Sequence, residues 1–507
     1  MAKVFTTKID RFNGGMVGDP RDPREAVCRA TSNFDLFSFP HKLRPRFASE
    51  DGDSSASTSM KQNFTVAKDG SGDYNLYSLG VKSGAATAEV KSKIITTTGA
   101  SNDLGDETWA TPSANQSASG SAVFDLFTYY EKVDLIFCAK MASGGDIMAF
   151  SPTGTAWDER ASTSQITFTT VREGLVHSAD DICYIPYDNN IAKNNNGTWT
   201  NVAISVASNE RIEAICEFGN YIAIAATSLS NQSVKSTVYL WDRDSSLTIF
   251  SEKHSWGNEK LLWIEELGGS LIGVSTKAGV VTALDDYVSF RRLTPSGPEE
   301  FQRFSVSSIV VPNMRRKSNG RVYFQMYGTV DGTTREGLWS VNALGDDFVV
   351  TLEYTPNNAT ALTNGSSKGF YVLNDFVFQS YVDNSTWTLS KTVEGATYTT
   401  SIYETTINPQ MPPQHRDVEK QLLGVRVSYE KLAASDTVVV SYKVDGASSF
   451  TEIGTASDDD TLYFEKTNDT NGAVFSKGSE YEFQIKSTHG AVITGLTYKY
   501  SIDDTQI

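Results

Sequence analysis

The chain has 507 residues, 39% hydrophobic and 21% charged, with 38 Gly against 14 Pro, a globular composition large enough for several domains and a buried core. Its 61 acidic and 44 basic residues leave a net charge of −17, which argues against specific nucleic-acid binding because such a surface repels phosphates. Cys28, Cys138, Cys183 and Cys216 form no Cys-x-x-Cys pair, so neither a disulfide framework nor a metal site is expected, and no run reaches the ~18 apolar residues that membrane insertion needs.

The opening MAKVFTTKIDRF lacks the apolar core of a signal peptide, which points to synthesis in a reducing cytoplasm. Residues 1–60 are predicted to be an extended arm, because Pro and Gly interrupt RFNGGMVGDPRDPREAVCRATSNFDLFSFPHKLRPR and the polar tract SEDGDSSASTS follows. Residues 1–48 hold nine Lys/Arg against five Asp/Glu, a local +4 on a body of −21. The simplest reading is an assembly arm that docks on an acidic neighbour through Arg11, Arg21, Arg24, Arg29, Arg44 and Arg46; a solvated tail is the plain alternative.

Residues 61–407 show a loose repeat of short strands and polar turns. Anchored on Ala149, Ala192, Leu240, Thr282, Leu338 and Trp387, its steps run from 42 to 56 residues. A four-stranded propeller blade needs about 45. Apolar strands with Gly, Asn or Asp turns, such as RIEAICEFGNYIAIAAT and LLWIEELGGSLIGVST, precede the anchors as antiparallel hairpins require. The fold class predicted is all-β, with a six- or seven-bladed β-propeller between an extended N-terminal arm and a C-terminal β-sandwich. A large sandwich or a β-helix is the competing architecture, and the Trp-Asp pairs at 157 and 241 keep no fixed phase, so a regular WD40 array is not expected.

VAKDGSGDYNLYSLG, residues 66–80, resembles the opening of a pectin methylesterase, but that family's Gln-rich motif, second aspartate and Arg-x-Trp motif are missing. Asp69, Gly70 and Gly72 are read instead as a turn before the first blade strand. Gly365-Ser-Ser-Lys-Gly369 matches a nucleophile elbow in letters alone, since a strand-like FYVLNDFVF follows where a helix belongs. The five histidines lie in distant segments, and the acids at Asp242, Asp244 and 458–460 lack calcium-loop spacing. No catalytic residue, metal or cofactor is predicted. The dense basic run NMRRKSNGR supplies a candidate subunit-contact loop, Arg315, Arg316 and Lys317, around a Ser-Asn-Gly turn.

NPQMPPQHRDVEK, residues 408–420, reads as a Pro-rich linker. Beyond it, residues 421–507 alternate apolar and polar at Val438, Val440, Tyr442 and Val444 and at Tyr481, Phe483 and Ile485, the pattern of a compact β-sandwich.

Two stretches carry a family resemblance. The Gly-Gly turn, Asp-Pro-Arg segment and Asn-Phe-Asp cluster within residues 11–46 resemble the start of tail and tail-tip proteins of tailed bacteriophages. The run from GVRVSYEKL to ITGLTYKYSI is similar to a β-sandwich near the C-terminus of phage minor structural proteins. The resemblance implies a non-enzymatic structural component of the virion tail, a nozzle, hub or tail-tip subunit assembled in the host cytoplasm. Its partners would be other tail proteins in a cyclic homo-oligomer. The alternative is a virion adhesin for host-surface glycan, with Trp157, Trp199 and Trp256 stacking on sugars; a glycan hydrolase on the propeller is a third reading.

Overall fold

The computed structural model describes the chain apart from residues 1, 18, 20, 23, 25, 54–63, 69–73, 82–87, 95–123, 141–145, 151–156, 160–165, 167, 229–233, 247–248, 278–286, 311–313, 331–332, 356–368, 374–375, 384–385, 398–399, 458–460 and 504–507. The turn expected at 69–72, the Ser of the elbow match, the anchor Thr282 and the acids at 458–460 lie outside the described residues. The protein is all-β: strands make up its regular structure, with short 3-10 turns at Glu131–Val133 and Pro413–His415 among the described residues. It divides into two compact units, one of Met1–Ser49, Gly337–Asn357 and Val393–Ile507, the other of Glu50–Glu336 and Asn358–Thr392.

The larger unit is a succession of antiparallel sheets, numbered I to VII in chain order. Sheet I holds Phe64–Lys68, Tyr74–Val81 and Ala88–Ile94. Sheets II, III and IV are four-stranded meanders that begin at Phe124–Tyr130, Leu175–His177 and Glu210–Phe218. Sheet V begins at Glu259–Leu267, and its last strand, Gly297–Val310, runs on to pair with Arg321–Val330 of sheet VI. Sheet VI opens with the hairpin Arg315–Ser318 and Arg321–Val330. Sheet VII holds Gly369–Leu373, Phe376–Asp383 and Thr386–Thr397, and takes a further strand from Phe47–Asp53, which precedes sheet I in the chain.

The leading strands touch in cyclic order. Phe64–Lys68 lies against Phe124–Tyr130, and the contacts continue through Leu175–His177, Glu210–Phe218, Glu259–Leu267, Arg321–Val330 and Gly369–Leu373, which returns to Phe64–Lys68.

Sequence explains why these strands pack on both faces. In Tyr221–Ser228, Ile222, Ile224 and Ala226 join Tyr184, Ile191 and Ile204 of sheet III in one core cluster, while Ala223 and Ala225 are fully buried on the opposite face. Asn196 and Gly197, both at positive φ, make the two-residue hairpin turn that Asn-Gly favours.

In the smaller unit Phe34–Asp35 pairs with Arg44–Pro45 in a two-stranded sheet, and two further sheets share a core. One runs Lys3–Ile9, Ile493–Ile502, Lys420–Tyr429, Tyr463–Lys466; the other runs Cys28–Ser32, Ser401–Thr405, Tyr481–Thr488, Thr437–Val444, Thr451–Ala456. Phe483 of the second meets Tyr498 of the first at 4.9 Å between ring centroids. Val438, Val440, Tyr442, Tyr481, Phe483 and Ile485 are buried as their alternation requires, while Val444 is half-buried.

Three domain boundaries differ from the sequence reading. The N-terminal segment is not a free arm. Lys3–Ile9 is an edge strand paired from Lys3↔Ile502 to Ile9↔Leu496, and Thr7 and Ile9 are buried while Lys3, Thr6 and Lys8 are exposed. Its basic residues are largely neutralised within the unit. Arg29 pairs with Glu482 at 2.8 Å, Arg24 with Asp22 at 2.7 Å, Arg21 with Glu480, and Arg46 with Glu353. Arg44 lies over the Phe39 ring at 5.1 Å, and Arg11 is exposed. Gly15, at φ +75°, passes so close to the strand Asp347–Tyr354 that a Cβ would sit 2.9 Å from that of Val349, so the Gly-Gly turn is sterically required.

The second correction concerns residues 408–420, which are packed rather than linking. Asn408, Met411, His415 and Lys420 are buried, and Asn408 Nδ2 donates to the carbonyls of Arg416 and Ser479. Proline signals a break in regular structure, which is not the same as exposure. The third is that residues 337–357 and 393–407 belong to the smaller unit, although the repeat had placed them in the propeller.

Candidate functional site

The basic hairpin of sheet VI reaches several neighbouring sheets of the larger unit through polar contacts. Asn319 and Gly320, both at positive φ, close it as the Ser-Asn-Gly signal implies. Strand alternation sends Arg316 to the side opposite Arg315 and Lys317.

Arg315 is buried, with Nε 3.1 Å from Glu265 and its guanidinium on the carbonyl of Ile215. Lys317 pairs with Glu266. Arg316 pairs with Glu173, donates to the carbonyl of Phe64 at 3.1 Å and lies 5.5 Å from the Tyr371 ring centroid. The three cations therefore tie sheet VI to sheets I, IV, V and VII and to Glu173 just ahead of sheet III. All three are paired within their own chain.

A second ion group lies between sheets III and IV. Glu213, 1% exposed, accepts from Arg172 at 2.8 Å and from Arg211 at 2.6 Å. His177 is fully buried, its Nε2 3.3 Å from the carbonyl of Tyr221 and its Nδ1 3.1 Å from Arg243, which also pairs with Asp180 at 2.8 Å. Burial pushes the Glu265 carboxyl above its ordinary range, with Arg315 opposing the shift.

Between the turns at Glu217–Tyr221 and Glu265–Gly269, beside Lys317, an open cleft of about 840 Å³ remains. Its acids are occupied: Glu266 by Lys317, Glu265 by Arg315, and Glu217 by the backbone and hydroxyl of Ser178. Glu173, Glu213, Glu265 and Glu266 are each held by a cation.

Of the tryptophans proposed as sugar platforms, Trp256 is 1% exposed against Gly273, whose added Cβ would meet its ring at 2.8 Å. Trp199 is half-buried and meets Phe137 edge-on at 5.2 Å, and the Trp157 side chain lies outside the described residues. Cys28, Cys183 and Cys216 are buried thiols. The sequence reading missed Glu173, Glu213, Glu265 and Glu266. For Glu213, Glu265 and Glu266 the signal was an acid inside otherwise apolar strands, RIEAICEF and LLWIEEL, whereas Glu173 in VREGL carried none.

No family model matches the sequence, and no curated protein matches it. Among solved structures, the chain is similar to exo-β-1,3-galactanase from Phanerochaete chrysosporium at 11% identity over 87% of this chain and 96% of that one, with a TM-score of 0.30. It is similar to BBS1N, solved in complex with ARL6DN, at 10% identity over 70% of this chain and 99% of that one, TM-score 0.39. The full extracellular region of plexin A4 aligns at 9% identity over 68% and 51%, TM-score 0.38. At such scores none of the three bears on what this chain does.

Proposed function

We propose that the protein is a non-enzymatic structural subunit of a tailed-bacteriophage virion, a seven-bladed β-propeller with a β-sandwich, acting in the tail through oligomeric assembly. The observation that carries the non-catalytic reading is the set of ion pairs at the leading strands. Arg315, Arg316 and Lys317 hold Glu265, Glu173 and Glu266, so these acids serve rigidity rather than proton transfer.

Seven blades are favoured over six by the cyclic order of leading strands. Phe47–Asp53 supports closure, because the chain ahead of sheet I completes sheet VII and opening the cycle would strip that strand away. The phage assignment rests on the resemblance of residues 11–46 and 424–502. Both stretches lie in one compact unit, which favours a single inherited module over two chance matches. The glycan-adhesin alternative is weakened at the blades by the burial of Trp256.

Light scattering and electron microscopy of the purified chain test the reading. Closed rings, or incorporation into tail assemblies, are expected. A protein that stays monomeric, alone and with tail components, refutes it, and so does a glycosidase activity that Glu265→Gln or Glu173→Gln abolishes.

A further inference from the structure

The smaller unit carries an open cleft of about 1210 Å³ beside the edge strand Tyr463–Lys466. Ser428 lies opposite Tyr463, and Arg426 opposite Glu465, across the pairing of this strand with Lys420–Tyr429. Leu462 and Tyr463 are 59% and 46% exposed, unusual for large apolar side chains.

The Arg426 guanidinium is stacked on the Tyr463 ring, 3.7 Å from its centroid. Stacking holds the planar cation in place while its N–H fork lies in the plane, free to donate outward. The carboxylates of the cleft are already matched, Glu430 by Lys42 and Glu465 by Lys499 at 3.1 Å. Arg426 and Lys431 have no carboxylate partner among the described residues. A chain of net charge −17 thus presents beside exposed apolar surface two cations with no carboxylate partner among the described residues.

We infer that this cleft binds an acidic sugar of the uronate type. The sugar carboxylate takes the Arg426 fork, Lys431 adds a second positive charge, and the C–H face of the ring packs on Tyr463 and Leu462. Ser428, Thr461 and Thr494 line the same cleft with hydroxyls for the ring oxygens. Each competing ligand leaves part of the site unused. An inorganic anion gains nothing from Tyr463 and Leu462, and a neutral sugar leaves the cations unmatched. The inference does not depend on the assembly role.

Calorimetric titration of the full chain with oligogalacturonate, a neutral cello-oligosaccharide and inorganic phosphate tests it, alongside Arg426→Gln and Tyr463→Ser. Both positions are exposed, and an unchanged melting transition confirms that the variants fold. Saturable binding of oligogalacturonate is expected, weakened about tenfold or more by either substitution, with the neutral sugar and phosphate weaker by a similar factor. Absence of oligogalacturonate binding overturns the inference. So does binding that ignores both substitutions, or equal affinity for the neutral sugar or for phosphate.

Discussion

Replacing Lys420 by methionine should remove a pH-dependent component of the smaller unit's stability. The ammonium is fully buried, with Nζ donating to the carbonyl of Arg416 at 3.2 Å and to that of Ser479, and the Tyr481 ring centroid lies 6.0 Å away. Burial, offset in part by Asp445, Asp417 and Glu480, pulls its pKa from 10.5 down to about 8. Between those values the unfolded chain keeps a proton that the folded chain has released, so stability rises with pH across the window. At about 1.4 kcal/mol per pH unit, the gain amounts to about 3 kcal/mol, none of it realised well below pH 8 and nearly all above pH 10.5. Buried Tyr481 and Tyr498, whose phenols are pushed up by desolvation, act in the opposite direction above pH 10. Both proteins contain them, so the difference between wild type and Lys420→Met isolates the lysine. The variant should fold, because Asn408 Nδ2 still donates to both carbonyls, at 2.7 and 2.8 Å. Urea denaturation from about pH 7.5 to 10, read through amide-exchange protection in Ile493–Ile502, measures the difference. Parallel pH profiles for the two proteins would refute the reasoning.

Arg316→Ala should destabilise the larger unit by about 3–5 kcal/mol, since it leaves Glu173, a side chain only 18% exposed, without its cation. Adding Glu173→Ala should recover part of that loss in urea denaturation, and a single variant within about 0.5 kcal/mol of wild type would show that the pair ties nothing together. Ile9→Ala, at a 2% exposed position, should cost the smaller unit about 2–5 kcal/mol, whereas a free arm would show no change in its unfolding midpoint.

The repeat was legible because hairpin chemistry is local. Ala149, Ala192, Leu240 and Trp387 each fall on the third strand of their sheet and Leu338 on the strand after Arg321–Val330, so the steps of 43, 48 and 49 residues between described neighbouring anchors follow successive sheets despite variable loops. The N-terminal strand was illegible for the opposite reason. Lys3–Ile9 alternates as KVFTTKI, but its partner Ile493–Ile502 lies at the far end of the chain, and no local rule can pair them. Charge counting then misled, because a local excess of +4 says nothing about which distant carboxylates, such as Glu482 and Glu353, answer it.

The polar centre lay between these cases, partly encoded in a repeat finer than the anchors. Glu210–Phe218 and Glu259–Leu267 are both nine-residue leading strands, and both begin with a buried glutamate. Glu210 accepts from Tyr239 at 2.7 Å, and Glu259 from Tyr287 at 2.8 Å, each tyrosine sitting on the third strand of its own sheet. Burial, with the glutamate next, pushes the Tyr287 phenol up to about 12 and moves that of Tyr239 in the same direction. Neighbouring sheets thus repeat one device, an acid at the start of the first strand locked to a phenol two strands away. Two sheets could share it by inheritance or by common constraint. Either way each acid is anchored by a phenol of its own sheet.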